Sequence, residues 1–211
     1  MDEEQSWQVI ERERLNLADL LDDLTPAQWE SASLCAGWRV RDVAAHLSLV
    51  GEPPPPWSLV TNGARARGNF HRLNTIMTKA RAEQPTAAIV DSLRLHAGSR
   101  QVPIVTNYRN VQFDLLVHIQ DVAIPLGREL AMPVAAAQDS ATRVWSMGWP
   151  FWAKRRLRGL HLVATDGDWE AGAGLELRGT IADLLLLLTG RSATIDRLTG
   201  PGIPALASLK H

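Results

Sequence analysis

A helix that is apolar on most sides, yet carries Asp114, His118 and Asp121 along one stripe, constrains this chain more than any other feature. The stretch Phe113-Asp114-Leu115-Leu116-Val117-His118-Ile119-Gln120-Asp121-Val122-Ala123-Ile124-Pro125-Leu126-Gly127 has no breaker before Pro125, and Gly127 supplies a stop. Positions three and four apart share a helical face, with Cβ atoms roughly 5–6 Å apart. Val111, Leu115 and Val122 flank the polar stripe, so it is predicted to face the interior. A buried charge without a partner is costly. These residues therefore need a bound metal ion or a local hydrogen-bond network.

The rest of the chain reads as helices that could surround that stripe. Trp7, Ile10, Leu17, Leu21 and Leu24 recur at spacings of three, four and seven, which predicts a helix from about Glu4 to Leu24. Thr25, Pro26 and Gln28 form a capping-box start for a short turn through Trp29. The next helix is predicted from about Trp38, with Val40, Val43, Ala44, Leu47 and Val50 inward, His46 at the edge of that face and Asp42 on its outer side. Pro53 to Pro56 end it as a rigid connector, and residues 57–68 read mostly as loop. Helices follow from about Asn69 to Ala82, with Phe70, Leu73, Ile76 and Met77 apolar, and from Thr86 to Leu95 with Pro85 at its first position. Gly98 to Asn110 reads as loop, and a last bundle helix spans about Ala135 to Gly148.

Beyond Lys154 the period changes. Leu160 to Ala164 alternates like a strand, Asp166-Gly167 is a hairpin signal, and Leu175 to Arg178 alternates again. Thr180 caps a helix from Ile181 to Thr189 that Gly190 ends, and Ser192 to Leu198 could add a turn. The predicted fold is α+β and mainly α: a helical bundle over residues 1–153, then a small α/β domain over 154–211.

Composition excludes several classes of function. A net charge of −1 gives no electrostatic case for nucleic acid or an anionic membrane surface. The longest apolar run, Leu184 to Leu188, is too short to span a bilayer. One cysteine, Cys35, permits no internal disulfide and fits a reducing compartment, and the acidic start lacks a signal core, so the expected location is the cytoplasm.

His46, Asp114 and His118 are the candidate metal ligands. Two imidazole nitrogens and one carboxylate suit Zn²⁺ or a similar divalent ion, with a further position left for water or substrate. The competing reading has His118 bonded to Asp114 or Asp121, and His46 to Asp42. Asp121 stands either as a ligand in place of Asp114 or as the partner that orients a histidine. Cys35 precedes Ala36-Gly37 at a helix start, where a thiolate could be stabilised, but is expected to be a small buried residue. His71 and His96 are expected at the surface or in local bonds, and His161 and His211 away from the site. Lys154, Arg155, Arg156 and Arg158 read as a solvated basic link, and Trp145, Trp149 and Trp152 as core or interdomain packing.

The segment Ser33-Leu34-Cys35-Ala36-Gly37-Trp38-Arg39-Val40-Arg41-Asp42-Val43-Ala44-Ala45-His46-Leu47 closely resembles the motif of the mycothiol-dependent maleylpyruvate isomerase family, within the DinB-like four-helix-bundle metalloproteins. Val117-His118-Ile119-Gln120-Asp121 with Pro125-Leu126-Gly127 resembles its second motif, and the stretch from Arg178 to Gly200 its small C-terminal domain. The resemblance implies a DinB-like bundle with metal held at His46, Asp114 and His118. It implies mycothiol as a thiol cofactor and a small-molecule substrate, with the metal-activated thiol attacking an electrophilic carbon in a transfer or isomerisation and no catalytic nucleophile from the protein. Two departures stand out: the family's characterised isomerase has glutamate at the position of Asp114, and members often have basic residues where this chain has Ala123 and Ile124. The alternative is a non-catalytic binding or regulatory protein on the same bundle, its metal structural or absent.

Overall fold

The computed structural model describes residues 1–52, 66–67, 69–102 and 106–207. The Pro53–Pro56 connector, the loop predicted over 57–68 apart from Ala66 and Arg67, and His211 lie outside the described residues, as does the side chain of His71. The fold is mainly α with a small α/β part, as predicted. The chain forms two compact units, one of residues 2–111 with 118–130, the other of Met1 with 112–117 and 131–211.

The first unit is helical. α1 (Glu3–Asp22) starts at a capping box between Asp2 and Gln5 and buries Trp7, Ile10, Leu17 and Leu21. α2 (Pro26–Glu30) has the predicted Thr25–Gln28 box. α3 (Val40–Gly51) starts two residues later than its apolar pattern suggested, because Arg39 is the cap and the Asp42 carboxylate reaches back to its N–H. α4 (Phe70–Ala82) packs along α3, and α5 (Thr86–Leu95) contacts both α1 and α3. Pro85 sits one position before α5, as its cap. Arg14 is buried inside this unit. Its Nη1 donates to the carbonyls of His96, Ala97 and Ser99 at 3.1, 3.0 and 2.8 Å, satisfying groups that the end of α5 leaves without helical partners.

α6 (Tyr108–Ala123) carries the polar stripe. It begins inside the span read as loop, because the Asn107 side chain accepts from the Asn110 N–H and caps it there. A 3₁₀ turn, Ile124–Leu126, follows, and Gly127 ends it at φ +64°.

The second unit contains α7 (Val134–Ser146), α8 (Ala153–Arg156) and a three-stranded sheet of β1 (Gly159–Ala164), β2 (Glu170–Gly172) and β3 (Gly174–Gly179) in the order β2-β1-β3. The Asp-Gly hairpin pairs β1 with β2 antiparallel, and β3 then runs parallel to β1 on its other edge. α9 (Ile181–Leu188) follows Thr180 as predicted and buries Leu184, Leu185 and Leu188. A 3₁₀ turn (Ile195–Arg197) and α10 (Ile203–Ala207) complete the described residues. Arg156 is no solvated link residue: its Nη2 donates to the Leu187 carbonyl at 2.6 Å, at the end of α9. Trp149 and Trp152 are more than half exposed, against the packing expected of them. α7 ends at Ser146, so the helical spacing that would align them with Trp145 does not continue to them. Among the described residues, no helix is long and apolar enough to cross a membrane.

Candidate metal centre

The loop before α3 is built to a fixed shape. The Ser33 N–H donates to the Trp38 carbonyl and the Trp38 N–H to that of Cys35, both at 3.0 Å. Gly37 takes φ +77° inside this turn, a conformation that suits glycine. The Ser33 hydroxyl donates to the Trp38 carbonyl at 2.9 Å and accepts from the Cys35 N–H at 3.1 Å. The Leu34 N–H donates to the Asp121 carbonyl at 3.1 Å, tying the loop to α6. Each polar residue of the Ser33–Trp38 motif segment therefore has a local task.

α3 then presents His46, buried at 9% exposure. Its ring centroid lies 5.0 Å from that of His118, at 77°. The Trp38 indole meets both: it sits 5.6 Å from the His46 ring edge-on and 6.4 Å from the His118 ring, nearly parallel at 15°. Asp114 is placed by α6 itself, one turn before His118. One donor atom from each of His46, Asp114 and His118 lies within 4.8 Å of the others. Donors on a common tetrahedral zinc ion stand roughly 3.3 Å apart, given bonds of about 2.0–2.2 Å. This set of two nitrogens and one oxygen is of a type and spacing that could hold a divalent ion.

His118 Nδ1 lies 2.8 Å from Oδ2 of Asp121, a side chain with no exposed surface. A carboxylate only accepts, so the ring proton belongs on Nδ1, leaving Nε2 as the ligand atom. This is the arrangement in which an outer carboxylate fixes a metal-binding imidazole. Cys35 is drawn into the same place. Its thiol donates to Asp121 Oδ2 at 3.1 Å, with Sγ 3.5 Å from His118 Nδ1. Cys35, His118 and Asp121 form a second group able to hold a metal.

The predicted His118–Asp121 bond is thus present and coexists with the convergence of His46, Asp114 and His118. Asp42 is not on an outer face. It is fully buried and bonds Arg39 through its N–H, Nε and Nη2, and Lys79 through Nζ at 2.7 Å. Burial raises the Asp42 carboxyl, but the Arg39 and Lys79 hydrogen bonds outweigh it and bring it down to about 2. His96 bonds locally, its Nδ1 3.0 Å from the Ser92 carbonyl, and His161 pairs with Glu170 across the hairpin of the other unit. Cys35 and Trp38 are the residues that sequence reasoning undervalued. The signal available was their position in one short motif with Gly37 and His46.

Residues 10–100 match the family model described as the mycothiol maleylpyruvate isomerase N-terminal domain. The match holds α3 with His46 and ends before α6, so Asp114, His118 and Asp121 lie outside it. Two solved structures are similar along almost the whole chain: the mycothiol-dependent maleylpyruvate isomerase (TM-score 0.64) and a histidine-to-alanine mutant of it (TM-score 0.65). Each is 13% identical, over 95% of this chain and 93% of the other, which establishes a shared fold. No curated protein matches the sequence.

Proposed function

We propose that this chain is a divalent-metal-dependent enzyme in which a low-molecular-weight thiol, mycothiol in this family, adds to an electrophilic small molecule, with transfer or isomerisation as the outcome. His46, Asp114 and His118 hold the ion, and their donor set suits zinc. The observation that carries this reading is the convergence of those three donors within 4.8 Å, backed by the Asp121 carboxylate on His118. A divalent ion bound there lowers the pKa of a thiol at its open position. The protein's own residues hold and orient. Asp121 keeps the His118 proton on Nδ1, Trp38 walls both imidazoles, and Asp42 fixes the first turn of α3, the helix that presents His46. In this reading residues 1–153 carry the site, 154–211 are the family's small α/β domain, and the protein acts in the cytoplasm.

A second reading, a non-catalytic binding protein with a structural metal, has one observation in its favour. Ala123, where relatives often carry a basic residue, is fully buried, so no basic side chain extends from that point of α6.

The test is metal content of protein purified without added metal or a histidine tag, for wild type and His46→Ala side by side. One ion per chain in wild type and none in the variant is the expected result. Mycothiol-dependent consumption of maleylpyruvate is then the first activity to assay. No metal in either protein, even after incubation with Zn²⁺, overturns the reading. Unfolding of the wild type on chelation, with no thiol-dependent activity, favours the structural alternative.

A further inference from the structure

Asp121 Oδ2 serves two donors at once. His118 Nδ1 approaches at 2.8 Å, and the Cys35 thiol at 3.1 Å from the loop before α3. The carboxylate is fully buried, so its position depends on the groups that bond it. Cys35 is itself held from three directions. The Ser33 hydroxyl accepts its N–H, its carbonyl accepts the Trp38 N–H, and Gly37 closes the turn at φ +77°. The neighbouring Leu34 N–H bonds the carbonyl of Asp121 itself. The loop thus grips one residue of α6 through both main chain and side chain.

We propose that Cys35 is a positioning residue of the metal centre: its thiol hydrogen bond pins the Asp121 carboxylate, and Asp121 in turn holds the His118 imidazole with Nε2 toward the ion. The inference rests on the metal reading above and adds a residue that acts through two others. The thiol takes no part in the reaction and does not bind the ion. The rival arrangement uses the same atoms differently: a soft cation displaces both protons and binds Sγ, Nδ1 and Oδ2 directly. The distances allow either. The positioning arrangement keeps His118 Nε2 for the His46–Asp114 side, and it needs no proton removed from the ring.

The experiment compares wild type, Cys35→Ser and Cys35→Ala. Zn²⁺ affinity is measured by competition with a chromophoric chelator, and absorption spectra are recorded on Co²⁺-loaded protein. Loss of an outer partner of a metal-binding histidine costs about 10- to 100-fold in affinity. The expected result is a loss of about tenfold in Cys35→Ala, with most of it recovered in Cys35→Ser, whose hydroxyl still donates. No thiolate-to-cobalt charge-transfer band is expected in wild type. Equal Zn²⁺ affinity in wild type and Cys35→Ala overturns the proposal. So does a serine variant as weak as the alanine one, since filling space would then be the role of the thiol. A charge-transfer band in wild type that Cys35→Ser abolishes also overturns it, by making Cys35 a ligand. If wild type binds neither Zn²⁺ nor Co²⁺, the metal reading fails and this inference falls with it. That outcome is distinct from the other three, in all of which wild type is loaded.

Discussion

The Lys79 ammonium stands 2.7 Å from Oδ2 of Asp42, a carboxylate with no exposed surface that lies one turn before His46 on α3. Asp42 therefore joins three things: the cap of α3, the packing of α4 on it, and the helix that presents the first candidate ligand. Its carboxyl is depressed from the usual 3.8 to about 2. A group whose folded pKa lies below its unfolded one stabilises the fold above the unfolded value, and that stability is lost as pH falls through the folded one. Wild type should lose on the order of 2 kcal/mol between about pH 4 and pH 2 from this group alone. Asp42→Asn should be less stable at pH 7 by about 1–3 kcal/mol and show a shallower acid slope. Urea titrations of both proteins at several pH values check this; parallel slopes would count against it.

Arg14 should be the most costly charged side chain of α1 to remove. Its guanidinium answers three carbonyls at the end of α5, and water does not reach them easily because Arg14 is 2% exposed. Arg14→Ala should cost about 2–4 kcal/mol, and Arg14→Lys should recover part of that, since its ammonium carries three donors but ends one bond short of the position of Nη1. Arg12, mostly exposed on the same helix, is the control and should cost less than about 0.5 kcal/mol when changed to alanine. Thermal melts of the three variants decide the ranking.

Asp114 is one methylene shorter than glutamate, yet its oxygen already lies within 4.8 Å of the two histidine donors. Asp114→Asn should therefore lower Zn²⁺ affinity by about 100-fold or more, by removing the anionic donor, while Asp114→Glu stays within about tenfold of wild type. Calorimetric titration of Zn²⁺ into metal-free protein separates the two. An asparagine variant that binds like wild type would remove Asp114 from the ligand set.

The Trp38 indole flanks both imidazoles, with ring centroids 5.6 Å from His46 and 6.4 Å from His118. Trp38→Phe keeps an aromatic wall and should preserve Zn²⁺ affinity within a few-fold, whereas Trp38→Ala should lose about tenfold. The same titration measures both, and an alanine variant equal to phenylalanine would show that the ring is dispensable.

Gly174 is a test of the sheet that does not touch the site. It takes φ +130°, and a Cβ there would stand 2.0 Å from the Gly159 carbonyl oxygen. Gly174→Ala should destabilise by about 2–4 kcal/mol without changing metal affinity. A melt and a Zn²⁺ titration on one preparation address both halves of that statement.

Much of this was legible in the residues. Ile10, Leu17 and Leu21, or Val43 and Leu47, sit where a 3.6-residue period puts them, because a helix in a bundle has one dominant way to hide an apolar stripe. The Thr25–Gln28 and Thr180–Asp183 starts were readable because capping is chemistry between near neighbours. His46, Asp114 and His118 could be proposed together from spacing and motif. Three things were not legible. Asp42 looked external because its cations come from its own cap and from Lys79, far along the chain. Cys35 read as a small buried residue because its partners are more than eighty residues away, on α6. The parallel pairing of β3 with β1 was hidden because a hairpin signal fixes β1 and β2 and says nothing about which edge the next strand takes.

The bond from the Leu34 N–H to the Asp121 carbonyl uses main chain on both sides. It does not depend on which side chain stands at either position, so substitution can pass through those positions without breaking the bond. Exchange of Leu34 for any residue but proline therefore leaves the loop tied to α6. A joint of that kind holds the backbone around the centre in place while the side chains beside it change.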